Sequence, residues 1–265
     1  MTLKKIMNLQ GQLALVTGAA GHLGRAICET LAEMGAELIL VDKPGAKLKN
    51  LQASLKNKWK TQSFQINCDL ESEDDRNQLI KNVKSYKKEL SILVNNAAFV
   101  GNSKLAGWSV QFKKQSLATW RRAIEVNLTA AFHLSQAFFG ATTKKKGNII
   151  NITSIYGKVG HDPQIYKNTK MVNPAAYSTS KGGLEQLTRW LAVQLAPNIR
   201  VNAICPGGIY RDQPNRFVKR YIKKTPLARM ANENDIKGAI AFLASKASSY
   251  TTGHTLNIDG GWTIW

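Results

Sequence analysis

The sequence predicts an α/β fold: a doubly wound parallel β-sheet of about seven strands with helices on both faces. Short apolar runs alternate with longer amphipathic stretches along the whole chain. The runs are short and β-branched or Leu-rich on both faces, which suits a parallel sheet covered by helices on both sides. The 265 residues hold no internal repeat and no low-complexity linker, so a single domain spanning 1–265 is expected.

Strands are predicted at 13–16, 38–41, 63–66, 92–94, 148–152, 200–204 and 255–258, with helices near 22–34, 46–58, 72–88, 117–139, 175–195 and 233–244. Two segments, 155–174 and 207–230, follow strands directly and fit the alternation poorly. In an open α/β sheet the ligand crevice lies beyond the carboxyl ends of the strands, so both segments are candidate substrate lobes.

The first strand runs into Thr17-Gly18-Ala19-Ala20-Gly21-His22-Leu23-Gly24, which opens the first long helix. Gly18, Gly21 and Gly24 permit a tight turn and close approach of main-chain N–H groups to a pyrophosphate, and the helix start at His22 and Leu23 favours negative charge. A plain glycine-rich turn is the alternative. Asp42 ends the second strand about 20 residues on, where a carboxylate accepts hydrogen bonds from ribose hydroxyls and repels a 2′-phosphate. This favours NAD(H), with NADP(H) as the alternative because Lys43 follows; Asp42 could instead cap the next helix. Asp69, beside Leu70 after the third strand, reads either as a partner of an adenine amino group or as a cap of a helix starting at Glu71.

The chain carries 37 Lys and Arg against 17 Asp and Glu, a net charge of +20. Such an excess suits an anionic small molecule, an acidic partner or nucleic acid. The lysines are scattered and no nucleic-acid-binding signature accompanies them, so no nucleic-acid partner is expected. No apolar run is long enough for a membrane span, and Met1 to Gln10 lack the pattern of a secretory signal, which leaves a cytoplasmic protein as the expectation. Cys28, Cys68 and Cys205 sit apart in apolar stretches and read as buried free thiols; no metal site is expected.

Asn95-Asn96-Ala97-Ala98 after the fourth strand, Asn127, Ser154 after the fifth, Tyr177-Ser178-Thr179-Ser180-Lys181 and Asp259-Gly260-Gly261 follow the glycine loop in order. With this set the chain resembles the short-chain dehydrogenase/reductase family over essentially its whole length. The resemblance implies a Rossmann fold, a nicotinamide cofactor held by Gly18, Gly21, His22, Leu23, Gly24, Asp42, Asp69, Leu70, Asn96, Ala97, Ala98, Tyr177, Lys181, Pro206, Gly207 and Ile209, and a catalytic set of Asn127, Ser154, Tyr177 and Lys181. It also implies a homodimer or homotetramer.

Three departures stand out. His22 occupies the place of the family's middle loop glycine, giving Gly-x-x-Gly-x-x-Gly. The Ser154-to-Tyr177 spacing is longer than usual, so 155–174 contains an insertion. Arg211 stands where the family often has a threonine that holds the nicotinamide carboxamide. The loop, the insertion and the Ser154-Ile155-Tyr156-Gly157 continuation look like the subgroup associated with flagellin modification and surface-polysaccharide sugars.

Tyr177 and Lys181 lie four apart on a helix, hence on one face. An adjacent ammonium and a positive nicotinamide ring are expected to lower the phenol so that Tyr177 acts as general acid and base in hydride transfer between a carbonyl and an alcohol. Ser154 would hold the substrate oxygen. By resemblance, Asn127 would hold a water between Lys181 and solvent. Purely architectural alternatives are a core tyrosine, a strand-end cap at Ser154 and a helix kink at Asn127.

Arg211, Arg216, Lys219, Arg220, Lys223, Lys224 and Arg229 face one acid, Asp212, in the 207–230 segment, which the family uses as a substrate lid. They could grip phosphate, or merely share the basic surface. The insertion adds Lys158, His161, Lys167 and Lys170, with Tyr156 and Tyr166 as candidate stacking rings, while Phe99, Trp108, Phe112 and Trp120 read as local core. The expected activity is NAD(P)-dependent hydride transfer on a sugar, sugar phosphate or nucleotide-linked sugar in surface glycan biosynthesis. A 3-oxoacyl-carrier-protein-type ketoreductase and a non-catalytic dinucleotide-binding sensor are the alternatives.

Overall fold

Leu13–Thr17 (β1) is buried at all five positions because helices cover both faces of the sheet around it. The computed structural model describes residues 2–86, 88–100, 105–141 and 146–265. A first short helix, Leu3–Ile6 (α1), precedes β1. After β1 come His22–Glu33 (α2), Glu37–Asp42 (β2), Leu48–Trp59 (α3), Ser63–Asn67 (β3), Glu73–Lys84 (α4) and Leu90–Asn95 (β4). The second half adds Leu117–Ile124 (α5), Ala130–Ala141 (α6), Gly147–Ile152 (β5), Pro163–Tyr166 (α7), Ala175–Gln194 (α8), Ile199–Pro206 (β6), Asn215–Lys223 (α9), Lys237–Ala244 (α10) and Thr255–Ile258 (β7).

All seven strands pair in parallel in the order β3-β2-β1-β4-β5-β6-β7. The order reverses between β1 and β4, so the connections leave in opposite directions and open a crevice at those carboxyl ends. Alternate strand residues face opposite layers. Ala14, Val16, Leu38 and Leu40 join Ile27, Leu31, Leu51, Ile240 and Leu243 on one side. Leu13, Leu15, Ile39 and Val41 join Leu79, Leu134, Phe138 and Leu191 on the other. Each buried leucine or isoleucine contributes about 2 kcal/mol of apolar burial.

Helix ends differ from the sequence expectations in ways that matter for the crevice. Ser72, not Asp69, caps α4 by accepting from the Asp75 N–H, and Glu73, Asp74 and Asp75 fill the first turn, where the helix dipole favours them. Lys47 precedes α3, so Asp42 caps no helix. The single helix expected over 117–139 is α5 and α6 joined by a π-helical turn at Glu125–Thr129, and 233–244 begins as a 3₁₀ turn before α10.

The segments that fit the alternation poorly form a third apolar cluster beyond the sheet. Ile165 of α7, Phe217 and Tyr221 of α9, Met230 and Trp262 are buried there, with Tyr156, Tyr166 and Met171 packed against them. Tyr156 and Tyr166 share a hydroxyl–hydroxyl hydrogen bond, Tyr156 stands edge-on to Trp262, and Tyr166 packs on Phe217. Trp108 is buried edge-on against Phe99, whereas Phe112 and Trp120 are exposed rather than core. All three cysteines are buried free thiols. Among the described residues no helix is long and apolar enough to cross a membrane.

Candidate active site

The glycine loop folds as a cradle at the end of β1. Gly18 has φ +62°, and a Cβ on Gly24 would stand 2.0 Å from the Gly18 carbonyl oxygen, so α2 presses on the loop only because Gly24 has no side chain. Gly21 precedes α2 and no side chain caps the helix, which leaves its first N–H groups available to an anion. His22 starts the helix with its ring exposed. Leu23 turns inward and packs against the sheet core. These features fit a dinucleotide pyrophosphate.

Asp42 ends β2 beside that loop. Its Oδ2 accepts from the Ala20 N–H at 2.9 Å and its Oδ1 from the Lys43 N–H at 2.8 Å, so the carboxylate is pinned to the rim of the cradle. Asp69 is exposed and its Oδ1 accepts from the Glu71 N–H at 3.0 Å. Beside it the backbone of buried Leu70 is held by Arg76, whose guanidinium donates to the Leu70 carbonyl and pairs with Glu125 at 2.6 Å. Arg76 is 2% exposed and ties the loop after β3 to the π-turn. Sequence patterning gave no hint of it, because a buried arginine in an amphipathic helix looks like a surface one.

A second buried network sets the end of β4. The Thr17 hydroxyl accepts from the Asn96 and Ala97 N–H groups at 3.0 and 3.1 Å, and Asn96 Nδ2 donates to the Thr17 carbonyl at 2.8 Å. Thr17 thereby locks Asn96, Ala97 and the following Ala98 against the glycine loop, a role its position at the loop's first residue could have suggested. Asn95 Nδ2 donates to Asn151 Oδ1, and Asn151 Nδ2 to Thr188, linking β4, β5 and α8.

The four catalytic candidates converge. Asn127, 1% exposed, lies in the π-turn; its Oδ1 accepts from the Phe99 N–H at 2.6 Å and its Nδ2 donates to Ser180 Oγ at 2.9 Å. Ser180 Oγ in turn donates to the Tyr177 carbonyl. Both a kink and a positioning role therefore fall on Asn127, in keeping with the frequent placement of π-turns at functional sites. Ser154 follows β5 in extended backbone, its Oγ accepts from the Tyr156 N–H, and its side chain is near enough to the Tyr177 phenol to pull that group's pKa down. Lys181 is 2% exposed and its Nζ donates to the Ile152 carbonyl at 2.7 Å.

Burial raises Tyr177 above the usual phenol range and outweighs the Ser154 hydrogen bond and the Arg211 charge, which pull it down. Burial also lowers Lys181 to about 8. Dehydration is the larger influence on both groups and holds each toward its neutral form.

Pro206 is buried at the end of β6, while Gly207, with its N–H on the Ile258 carbonyl, and Ile209, bridged to Ala231, lead into the basic segment. There the cations are partly committed: Arg211 to Glu233, Lys224 to Asp162, Arg229 to Asp235 and Arg220 to the Lys167 carbonyl. Tyr177 also lines a cavity of about 290 Å³ with Trp108, Tyr166, Lys170 and Asn173.

The family model described as enoyl-(acyl carrier protein) reductase matches residues 18–263. The chain is 33% identical to the 3-oxoacyl-(acyl-carrier-protein) reductase of Aquifex aeolicus (strain VF5), covering 96% of this chain and 98% of that one. It is 31% identical to the post-translational flagellin modification protein A of Campylobacter coli, over 97% and 100% of the two chains. Among solved structures, a short-chain dehydrogenase from Leptospira borgpetersenii serovar Hardjo-bovis (strain JB197) with bound NAD+ superimposes with a TM-score of 0.83 at 32% identity, covering 100% of this chain and 96% of that one. Matches this broad extend from the glycine loop to the last strand: the chain belongs to the short-chain dehydrogenase/reductase family, NAD(P)-dependent oxidoreductases acting on alcohol and ketone substrates.

Proposed function

We propose that this enzyme reduces or oxidises a sugar, sugar phosphate or nucleotide-linked sugar of surface glycan biosynthesis, with NAD(H) preferred. The observation that carries this reading is the cavity shared by Tyr177 and Lys170, to whose wall the inserted segment contributes Tyr166 and the residues from Lys170 to Pro174. An anionic, hydroxyl-rich substrate suits such a wall, and the likeness to a flagellin modification protein supports the same class.

The cofactor supplies or accepts the hydride. The glycine loop would hold its pyrophosphate, Asp42 its adenosine ribose, and Asp69 and Leu70 its base; Asn96, Ala97, Ala98, Pro206, Gly207 and Ile209 would line the remaining length. Tyr177 gives a proton to the carbonyl oxygen in reduction and removes it in oxidation, while Ser154 holds that oxygen beside the phenol. Lys181 places a positive charge beneath the site, and Asn127 fixes the helix that carries Tyr177. The segments 155–174 and 207–230 act as an insertion and a lid over the substrate, and the enzyme works as a homodimer or homotetramer.

A second reading, 3-oxoacyl-carrier-protein reduction, is favoured by the likeness to the Aquifex reductase and by a basic surface that suits an acidic carrier. The deciding experiment follows nicotinamide absorbance with nucleotide-linked ketosugars, sugar phosphates and 3-oxoacyl thioesters under NADH and NADPH. Turnover on sugars with NADH supports the first reading; turnover confined to thioesters with NADPH replaces it.

A further inference from the structure

Arg211 departs from the family pattern, and its surroundings give that departure a purpose. Ile209 forms a parallel bridge with Ala231, and the Tyr210 N–H donates to the Ala231 carbonyl, so residues 209–211 run beside 231–233. This pairing lays the Arg211 guanidinium on Glu233: Nε and Nη2 reach the same Oε1 at 3.2 and 3.0 Å. His22 Nδ1 stands 3.9 Å from that oxygen. One carboxylate oxygen thus separates the guanidinium from the first residue of α2, whose leading N–H groups have no side-chain cap.

We propose that Arg211 is a pyrophosphate-binding residue, held on Glu233 until the dinucleotide arrives; this rests on the dinucleotide reading of the crevice. Arg211 is 39% and Glu233 30% exposed, so their pairing is a weak surface ion pair that a more highly charged anion displaces readily. Nε and Nη2 converge on a single Glu233 oxygen, whereas a phosphate offers the guanidinium two oxygens for a forked pair. Arg211 follows β6, on the opposite side of the β1/β4 reversal from Asp42, and therefore reaches the phosphate farther from the adenosine. It lies near the start of the segment that carries α9, so its transfer from Glu233 to the cofactor draws that segment over the crevice.

The test is fluorescence titration of the full-length protein with NADH, and competition by ADP-ribose and AMP. Arg211→Gln is expected to weaken NADH and ADP-ribose by about tenfold or more, the loss typical of a charge-assisted hydrogen bond, while AMP is nearly unaffected. Glu233→Gln is expected to tighten NADH, since it releases Arg211. The proposal is overturned if Arg211→Gln binds NADH like the wild type, if AMP weakens as much as ADP-ribose, or if Glu233→Gln weakens NADH as Arg211→Gln does. A wild-type protein that binds neither NADH nor NADPH overturns the dinucleotide reading itself, a result distinct from these three.

Discussion

At Tyr177 and Lys181, one helical turn apart, burial works against the charged form of each: the phenol is raised and the ammonium lowered to about 8. A neutral phenol is the form that donates a proton, and burial favours it. Tyr177→Phe keeps the ring and loses the proton, so cofactor affinity should stay nearly unchanged while turnover falls by about 10² or more. Undiminished turnover would remove Tyr177 from the mechanism. For Lys181 the pH dependence has a definite sign. Its folded value lies below the ordinary 10.5, so the cost of burying the charge is fully present below pH 8 and disappears as pH rises from 8 to 10.5. Lys181→Met should therefore unfold at a higher temperature than the wild type at pH 7, with a stability gain of up to about 3 kcal/mol that shrinks toward pH 10. A gain that does not shrink over this window would mean that the lysine carries no buried charge at neutral pH.

Among the elements, the loop between β1 and α2 depends most on a single atom. A methyl at Gly24 meets the Gly18 carbonyl and Ala19 backbone, whereas a methyl at Gly160 in the inserted segment meets nothing within 4 Å. Gly24→Ala should lower stability by about 1–3 kcal/mol and disrupt dinucleotide binding, and Gly160→Ala should do neither; thermal melts of the two variants side by side check this. The same contrast explains what the sequence made legible. All seven strands stand where the short apolar or β-branched runs predicted, the central β1, β2 and β4 as nearly unbroken apolar runs and the edge strands β3 and β7 as alternating, partly buried ones. The π-turn was hidden because a one-residue shift in hydrogen bonding leaves Val126-Asn127-Leu128 looking like ordinary helix. The α7 helix carried a readable start, Asp162 as cap with Pro163 behind it, but its four residues were too short for periodicity to register. Asn127, Ser154, Tyr177 and Lys181 were legible through their ordered spacing, whereas Arg76, Thr17 and Glu233 matter through partners more than 15 residues away along the chain, which spacing does not encode.

On the scale of the whole molecule, the excess of 37 basic over 17 acidic side chains sets a repulsive field around the fold. Screening relieves self-repulsion, so the melting temperature should rise between low and physiological salt; a fall would show that specific ion pairs outweigh the net charge. That field also raises the local concentration of any anion, so cofactor preference has to be read at physiological salt, where general attraction is screened. The most direct test of the account is therefore a parallel fluorescence titration with NADH and NADPH at that salt, for the wild type and Asp42→Ala. The account predicts saturable binding with NADH the tighter ligand, and a preference that relaxes toward NADPH in the variant. Tighter NADPH binding by the wild type, or a discrimination unmoved by Asp42→Ala, would contradict it.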